Sequence, residues 1–255
     1  MSPLAPGNIS RNLIASAGVA RSQRTAPRDT DRPMVIAVAA LSEQLLTTAT
    51  TAVVATVLAA VVRPPVLAVD ADGYNQPLRA ALGSGGGGDI LGLAQLPARD
   101  LKRTVIERYA DSFGATALLG MQVTNPGRIA PETLLSAVQR ASHRWPVIVV
   151  DLPFTCGEEL IAAGTALASQ VLLVTDRYHS GHSWLYQSGH HLSEAARQGR
   201  VTVAKVGARP DETDAEDTLT LPMSGVGHSA RNRIIIPQDP VALVQYNQLL
   251  SRLYR

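Results

Sequence analysis

The chain has 255 residues, 45% apolar and 17% charged, enough apolar content for a sizeable core and too much for a disordered chain. Its length suits one large α/β domain with an appendage and excludes two equal domains of average size. Net charge is +2, and residues 1–33 hold five Arg against two Asp, so the remaining 18 basic and 19 acidic residues offer no duplex-binding face; 4% aromatics exclude a base-stacking platform.

Residues 1–33, rich in Pro, Ser, Arg and Ala, read as a mobile basic tail with one short helix around Ser10–Arg21. Met1–Ser10 carries no basic residue and the apolar run Leu13–Ala20 is short, so no secretory signal is read. Residues 34–255 read as a single α/β domain. MVIAVAAL, from Met34, is a continuous apolar run of the kind a parallel strand needs when both its faces are covered. A helix is expected over Ser42–Val62, stopped by Arg63, Pro64 and Pro65. Its stretch 45–62 is 18 residues without a charge, the minimum length of a spanning helix, but its threonines and alanines make it weakly apolar. A helix buried in a soluble domain is the expectation, and a subunit anchored in a membrane by 45–62 the alternative.

Val66–Asp70 is the next strand, completing a βαβ unit. Gly83–Gly88 reads as a flexible loop, Ala115–Val123 as a strand, Pro131–Arg144 as a helix and Val147–Asp151 as a strand ending in a carboxylate. Gln170–Thr175 is a further strand, followed by a His-rich helix to about Gln198 and a strand over Val201–Val206. Asp211–Asp217, with five acids in seven residues, reads as a solvated loop, Arg233–Ile236 as a short strand and Pro240–Arg255 as an amphipathic terminal helix. The fold class is α/β, a doubly wound, mostly parallel sheet flanked by helices, with its ligand crevice beyond the carboxyl ends of the strands.

Three segments, MVIAVAALSEQLLTTATT, PPVLAVDADGYNQPL and WPVIVVDLPFTCGEELIAAGTALASQVLLVT, resemble in order and spacing the MinD/ParA family of P-loop ATPases. The resemblance covers Pro33 to the C-terminus, and RIIIPQDP near the end is similar to the family's late strand and Pro-x-Asp-Pro loop. In that family the first strand runs into a phosphate loop of the form KGGVGKTT. Aligned without gaps, its signature lysine falls on Ser42, its glycines on Glu43, Gln44 and Leu46, its phosphate-loop lysine on Thr47, and the hydroxyl that ligands magnesium on Thr48. Only the last position is matched, so the resemblance is to a degenerate member without the loop's glycines and lysines. Such a loop needs glycine so that successive N–H groups curl round the phosphates, and lysine to neutralise their oxygens; Glu43 puts a negative charge in their place.

The resemblance also assigns Asp70 and Asp72 to the motif that positions water and magnesium, Asp151 to the position that contacts magnesium through water, and Lys205 to the place of the base-reading Asn. Read without it, an Asp at a strand end starts a turn by accepting backbone hydrogen bonds, and Thr48 caps or packs.

Other constellations are weaker. His179, His182, His190 and His191 read as an exposed polar helix rather than a metal site, which needs three or four converging ligands. Ser224 and His228 lack a nucleophile elbow. Cys156 rules out an internal disulfide, and the neighbouring Glu158 and Glu159 are expected to raise its pKa, against a nucleophilic role.

The expectation is therefore a catalytically inactive pseudo-ATPase, a protein-binding scaffold or localisation subunit of a secretion, pilus, division or partition system. It needs no cofactor, neither ATP nor magnesium, and no metal. Its partners are proteins, as a homodimer or as a heterodimer with an active ATPase paralogue; no nucleic acid or membrane span is expected, and the location is cytoplasmic, peripheral to a membrane complex at most. The runner-up is an atypical active ATPase drawing on Lys102, Lys205 or an arginine.

Overall fold

The computed structural model describes residues 33–43, 46–62, 64–86, 88–113, 116–176, 183–187, 189–206, 218–221 and 240–253. All but the last residue of the expected tail over 1–33, the acidic loop Asp211–Asp217, Ser224, His228, the expected strand Arg233–Ile236, and Gln44, Leu45, His179 and His182 lie outside the described residues.

Among the described residues, eight strands form one sheet in the order β3-β4-β2-β5-β1-β6-β7-β8. They are β1 (Met34–Ala39), β2 (Val66–Asp70), β3 (Asp111–Phe113), β4 (Thr116–Leu119), β5 (Val147–Leu152), β6 (Gln170–Thr175), β7 (Val201–Val206) and β8 (Thr218–Leu221). All neighbours run parallel except the edge pair β3–β4. The expected doubly wound, mostly parallel sheet is thus the observed one, because its central strands are apolar on both faces and each face is covered.

One face carries α1 (Thr47–Val61), the start of α2 (Pro77–Leu82) and α8 (Pro240–Leu253). Val53, Val54, Val57, Leu58 and Val61 of α1 bury themselves there against Met34, Ile36, Val147 and Val149. The opposite face carries α3 (Ile90–Gln95), the end of α4 (Arg103–Ile106), α5 (Pro131–Ala141), α6 (Glu158–Leu167) and α7 (Ser193–Arg197). Successive strand residues alternate between these cores: Ile36 and Val38 face α1, while Val35, Ala37 and Ala39 face away from it. Among the described residues no helix is long and apolar enough to cross a membrane; the uncharged run at 45–62 forms a 15-residue helix buried against the sheet.

Several expected boundaries shift. The helix expected from Ser42 begins at Thr47, with Ser42 and Glu43 in the turn after β1. The strand expected to reach Val123 stops at Leu119, ahead of a loop in which Asn125 N donates to Gln122 O. The helix expected to reach Arg144 ends at Ala141, where Ser142–Arg144 turn the chain into β5. Among the described residues of the expected His-rich helix, a 3-10 turn over Ser183–Tyr186 and the short α7 are parted by Gly189 at φ 105°, which regular helix does not adopt. The terminal helix is described from Pro240 as far as Leu253, and the last two residues of its expected span lie outside the described residues.

Candidate functional site

The strands β1, β2 and β5 end side by side, and the loops that follow them carry most of the residues singled out from the sequence. The parallel register of β2 and β5 sets Asp70 opposite Asp151. Both continue the side of their strands that faces α1, set by Val66 and Ala68 in β2 and by Val147 and Val149 in β5. Asp70 and Asp151 are 1% and 0% exposed, so two carboxyl groups share one buried location.

Their hydrogen bonds come from three elements. Thr48 Oγ1 and Thr51 Oγ1 each donate to Asp151 at 2.7 Å, one to either carboxylate oxygen. Three residues apart on α1, these threonines lie on one face of the helix and grip the carboxylate as a pair. Asp70 accepts from the backbone N–H of Leu78 at 2.9 Å and of Asp72 at 3.1 Å, so it ties the first turn of α2 to the end of β2. Burial pushes the Asp151 carboxyl up to about 7, against the two threonine bonds that favour its charged form. Burial, and then the charge of Asp151, pushes Asp70 well above the ordinary carboxylate range.

Asp72 behaves in the opposite way. It accepts from Tyr74 N at 3.1 Å, Asn75 N and Asn75 Nδ2 at 3.0 Å each, and Thr155 Oγ1 at 2.9 Å. Burial alone raises its pKa, but these bonds, led by the Asn75 side chain, outweigh burial and hold it below the usual range. The Thr155 bond joins the loop after β2 to the loop after β5. Gly73 fixes the same corner: a Cβ there would stand 2.0 Å from Gly127 O, and Gly127 N donates to Gly73 O at 3.0 Å. Between the loops lies a crevice of about 280 Å³, walled by Ala71, Ile129 and Leu160 and open toward Tyr74 and Arg128.

The turn from β1 to α1 has different chemistry. Ser42 is half-buried, Glu43 and Leu46 are exposed, Thr47 is buried and Thr48 half-buried. Leu46 at the helix N-cap makes no side-chain cap, and its carbonyl accepts from both Thr50 N at 2.9 Å and Thr50 Oγ1 at 2.7 Å. Leu46 is 37% exposed, so a glycine there would leave no buried void. Lys205 lies on β7, in register with Thr175 and Thr220, with β6 between it and β1. Lys102 is exposed ahead of α4. Neither lysine of the chain is part of the β1–α1 turn.

Cys156 sits in the wall of the crevice, and its pKa is raised as expected, but not by Glu158 and Glu159. Burial comes first, followed by Asp151, Asp72 and Asp70. The His190 and His191 rings stack 4.4 Å apart. Among the described residues no three His, Cys, Asp or Glu side chains are arranged to hold a metal ion. Thr51, Asn75 and Thr155 escaped the sequence reading; only the spacing of Thr48 and Thr51 on one helix face hinted at a shared acceptor.

No protein-family model matches the chain, and no curated protein matches it in sequence. Solved structures match it in fold. A ParA family ATPase from Chlorobium tepidum TLS aligns with a TM-score of 0.53 at 15% identity, over 76% of this chain and 85% of that one. A plasmid partition protein from Borrelia burgdorferi aligns with a TM-score of 0.50 at 14% identity, over 86% and 97%. Cobyrinic acid a,c-diamide synthase from Mycobacterium smegmatis, solved with a bound ATP analog and magnesium, gives 0.53 at 16% identity, over 86% and 92%. The fold is that of MinD/ParA-like P-loop proteins.

Proposed function

We propose that the chain is a MinD/ParA-like pseudo-ATPase, a fold kept as a protein-binding module after the loss of nucleotide chemistry. The observation that carries this reading is the β1–α1 turn, where Ser42, Glu43 and Leu46 stand at positions that the resemblance gives to lysine and glycine, and no lysine lies in the turn. A triphosphate set there meets the exposed Glu43 carboxylate and lacks the charge-assisted contacts worth roughly 1.5–3 kcal/mol each. Thr48, the one matched magnesium position, donates its hydroxyl proton to Asp151 and keeps its oxygen lone pairs, so it neither makes up for the missing lysines and glycines nor counts against magnesium. The residues of the β1–α1 turn, Glu43 above all, do not fit a triphosphate.

On this reading the carboxyl edge of the sheet serves protein partners: a second copy, an active ATPase paralogue or a component of a secretion, pilus, division or partition machine. The chain acts as their scaffold or localisation subunit, in the cytoplasm or at the periphery of a membrane complex. Calorimetric titration with Mg-ATP tests the reading: no saturable heat is expected, and saturable one-to-one binding refutes it.

A further inference from the structure

Four neighbouring strands, in the order β4-β2-β5-β1, each lead into a loop that exposes one large apolar side chain on the same edge of the sheet. Val123 is 58% exposed, Tyr74 66%, Phe154 42% and Leu46 37%, and together they account for four of the seven exposed large apolar side chains among the described residues. At roughly 4.8 Å between strands, the row runs about 14 Å along the edge. The Asp72–Thr155 and Gly73–Gly127 bonds hold its middle loops together, and Tyr74 overhangs the crevice. Exposed apolar side chains gathered on one edge mark a docking surface, whereas scattered ones mark nothing.

The charge beside the row is acidic. Glu43 and Glu158 are exposed there, while the exposed Arg128 and Glu159 pair with each other at 3.5 Å and offset one another. The segment of this chain that complements apolar and acidic chemistry together is at its N-terminus, where Ile9, Leu13 and Ile14 alternate with Arg11, and Arg21 and Arg24 follow. Residues 1–32 precede β1 at the opposite edge of the sheet, and β1 is six residues long, about 20 Å. A chain of 32 residues reaches about 105 Å when extended, so the segment has ample length to return along the molecule to the carboxyl edge. Tethering also raises its effective concentration to the millimolar range, which fills even a weak site ahead of free partners.

We propose that the Arg-bearing segment 9–24 docks in cis on the Val123–Tyr74–Phe154–Leu46 row, as a strap that a protein partner must displace. This rests on reading the carboxyl edge as a protein-docking face. Contacts with exposed side chains alone make the strap reversible and sensitive to salt.

Hydrogen exchange on the full chain tests it, comparing the native sequence with the tail variants R11E/R21E/R24E and L13S/I14S. An unchanged circular dichroism spectrum confirms the folding of both variants. Expected is a several-fold faster exchange in 71–76 and 153–157 for either variant, reproduced in the native chain by high salt and independent of protein concentration. In the reciprocal variant Y74S/F154S, amides of 9–24 exchange faster. Equal exchange in all chains, or protection that grows with protein concentration and so reports a second copy, overturns the proposal. Binding of Mg-ATP sinks the pseudo-ATPase reading but leaves the exchange result intact, so the two failures are distinguishable.

Discussion

Asp70 and Asp151 face each other across adjacent parallel strands, both buried, with Asp151 held by two α1 hydroxyls and Asp70 by two backbone N–H groups. Two carboxylates in one low-dielectric site resist double ionisation, so the pair retains a proton that the unfolded chain has released. Above the unfolded pKa of about 3.8 the native state therefore binds more protons than the unfolded one, and stability falls as pH rises until the native groups have titrated, at about 7 for Asp151. Thermal melts from pH 4 to pH 8 should show this decline, on the order of a few kcal/mol. Asp151→Asn, which keeps an acceptor for one threonine and a rotatable partner for the other, should flatten the slope. A slope unchanged by that substitution would remove the pair as its source.

Asp72 contributes with the opposite sign, because its native pKa is depressed. Its stabilisation is present above the unfolded pKa and is lost as pH falls through the native one, so its loss falls below the pH 4–8 range of those melts and leaves their slope to the buried pair. Thr155→Val deletes the hydroxyl that ties the two loops while Asp72 keeps its bonds from Tyr74 and Asn75. Chemical denaturation should show a loss of about 0.5–1.5 kcal/mol. A larger loss would mean that the loop after β5 depends on this bond for its conformation.

Gly73→Ala should destabilise by roughly 1–3 kcal/mol, since its Cβ would meet the backbone oxygen of Gly127, which no rotamer change relieves. Gly83→Ala isolates the effect of φ, because nothing lies within 4 Å of a Cβ there and only its φ of 72° is strained. Comparable losses at the two positions would show that close approach at Gly73 is not what holds this corner.

Rebuilding the phosphate loop as E43G/Q44G/L46G/T47K should destabilise the chain without creating ATP affinity. Thr47 is 2% exposed, so the lysine carries the main cost, burying a charge where a threonine packs. Glu43 lies in a turn and Leu46 at the helix N-cap, both exposed, so glycine at either adds little to that cost. Melts of the single and combined variants separate these contributions, and a Thr47→Lys chain as stable as the parent would show room for the ammonium at the helix start.

Val66–Asp70, Gln170–Thr175 and Val201–Val206 were legible to the residue, because each is an apolar run with polar or turn-forming residues at its ends, and a strand buried on both faces needs no alternation. Asp111–Phe113 and Thr218–Leu221 were not, since edge strands of three and four residues carry too few apolar positions to show a period. α6 also went unread: its start at Glu158 follows Gly157 at φ 82° without a side-chain cap. At the site, Asp70 and Asp151 stood out as acids ending apolar runs. Thr51 and Thr155 did not, because their carboxylate partners are 100 and 83 residues away and nothing local marks one threonine among several.

The most direct measurement is the melting temperature of the full chain with and without millimolar Mg-ATP. A ligand at a hundred times its dissociation constant adds about 2.7 kcal/mol to stability, which shifts a domain of this size by several degrees. No shift is predicted, because Glu43 and the lysine-free turn leave the triphosphate without its contacts. A clear upward shift, specific for ATP over AMP and dependent on magnesium, would contradict the pseudo-ATPase reading and identify a nucleotide site built from other residues.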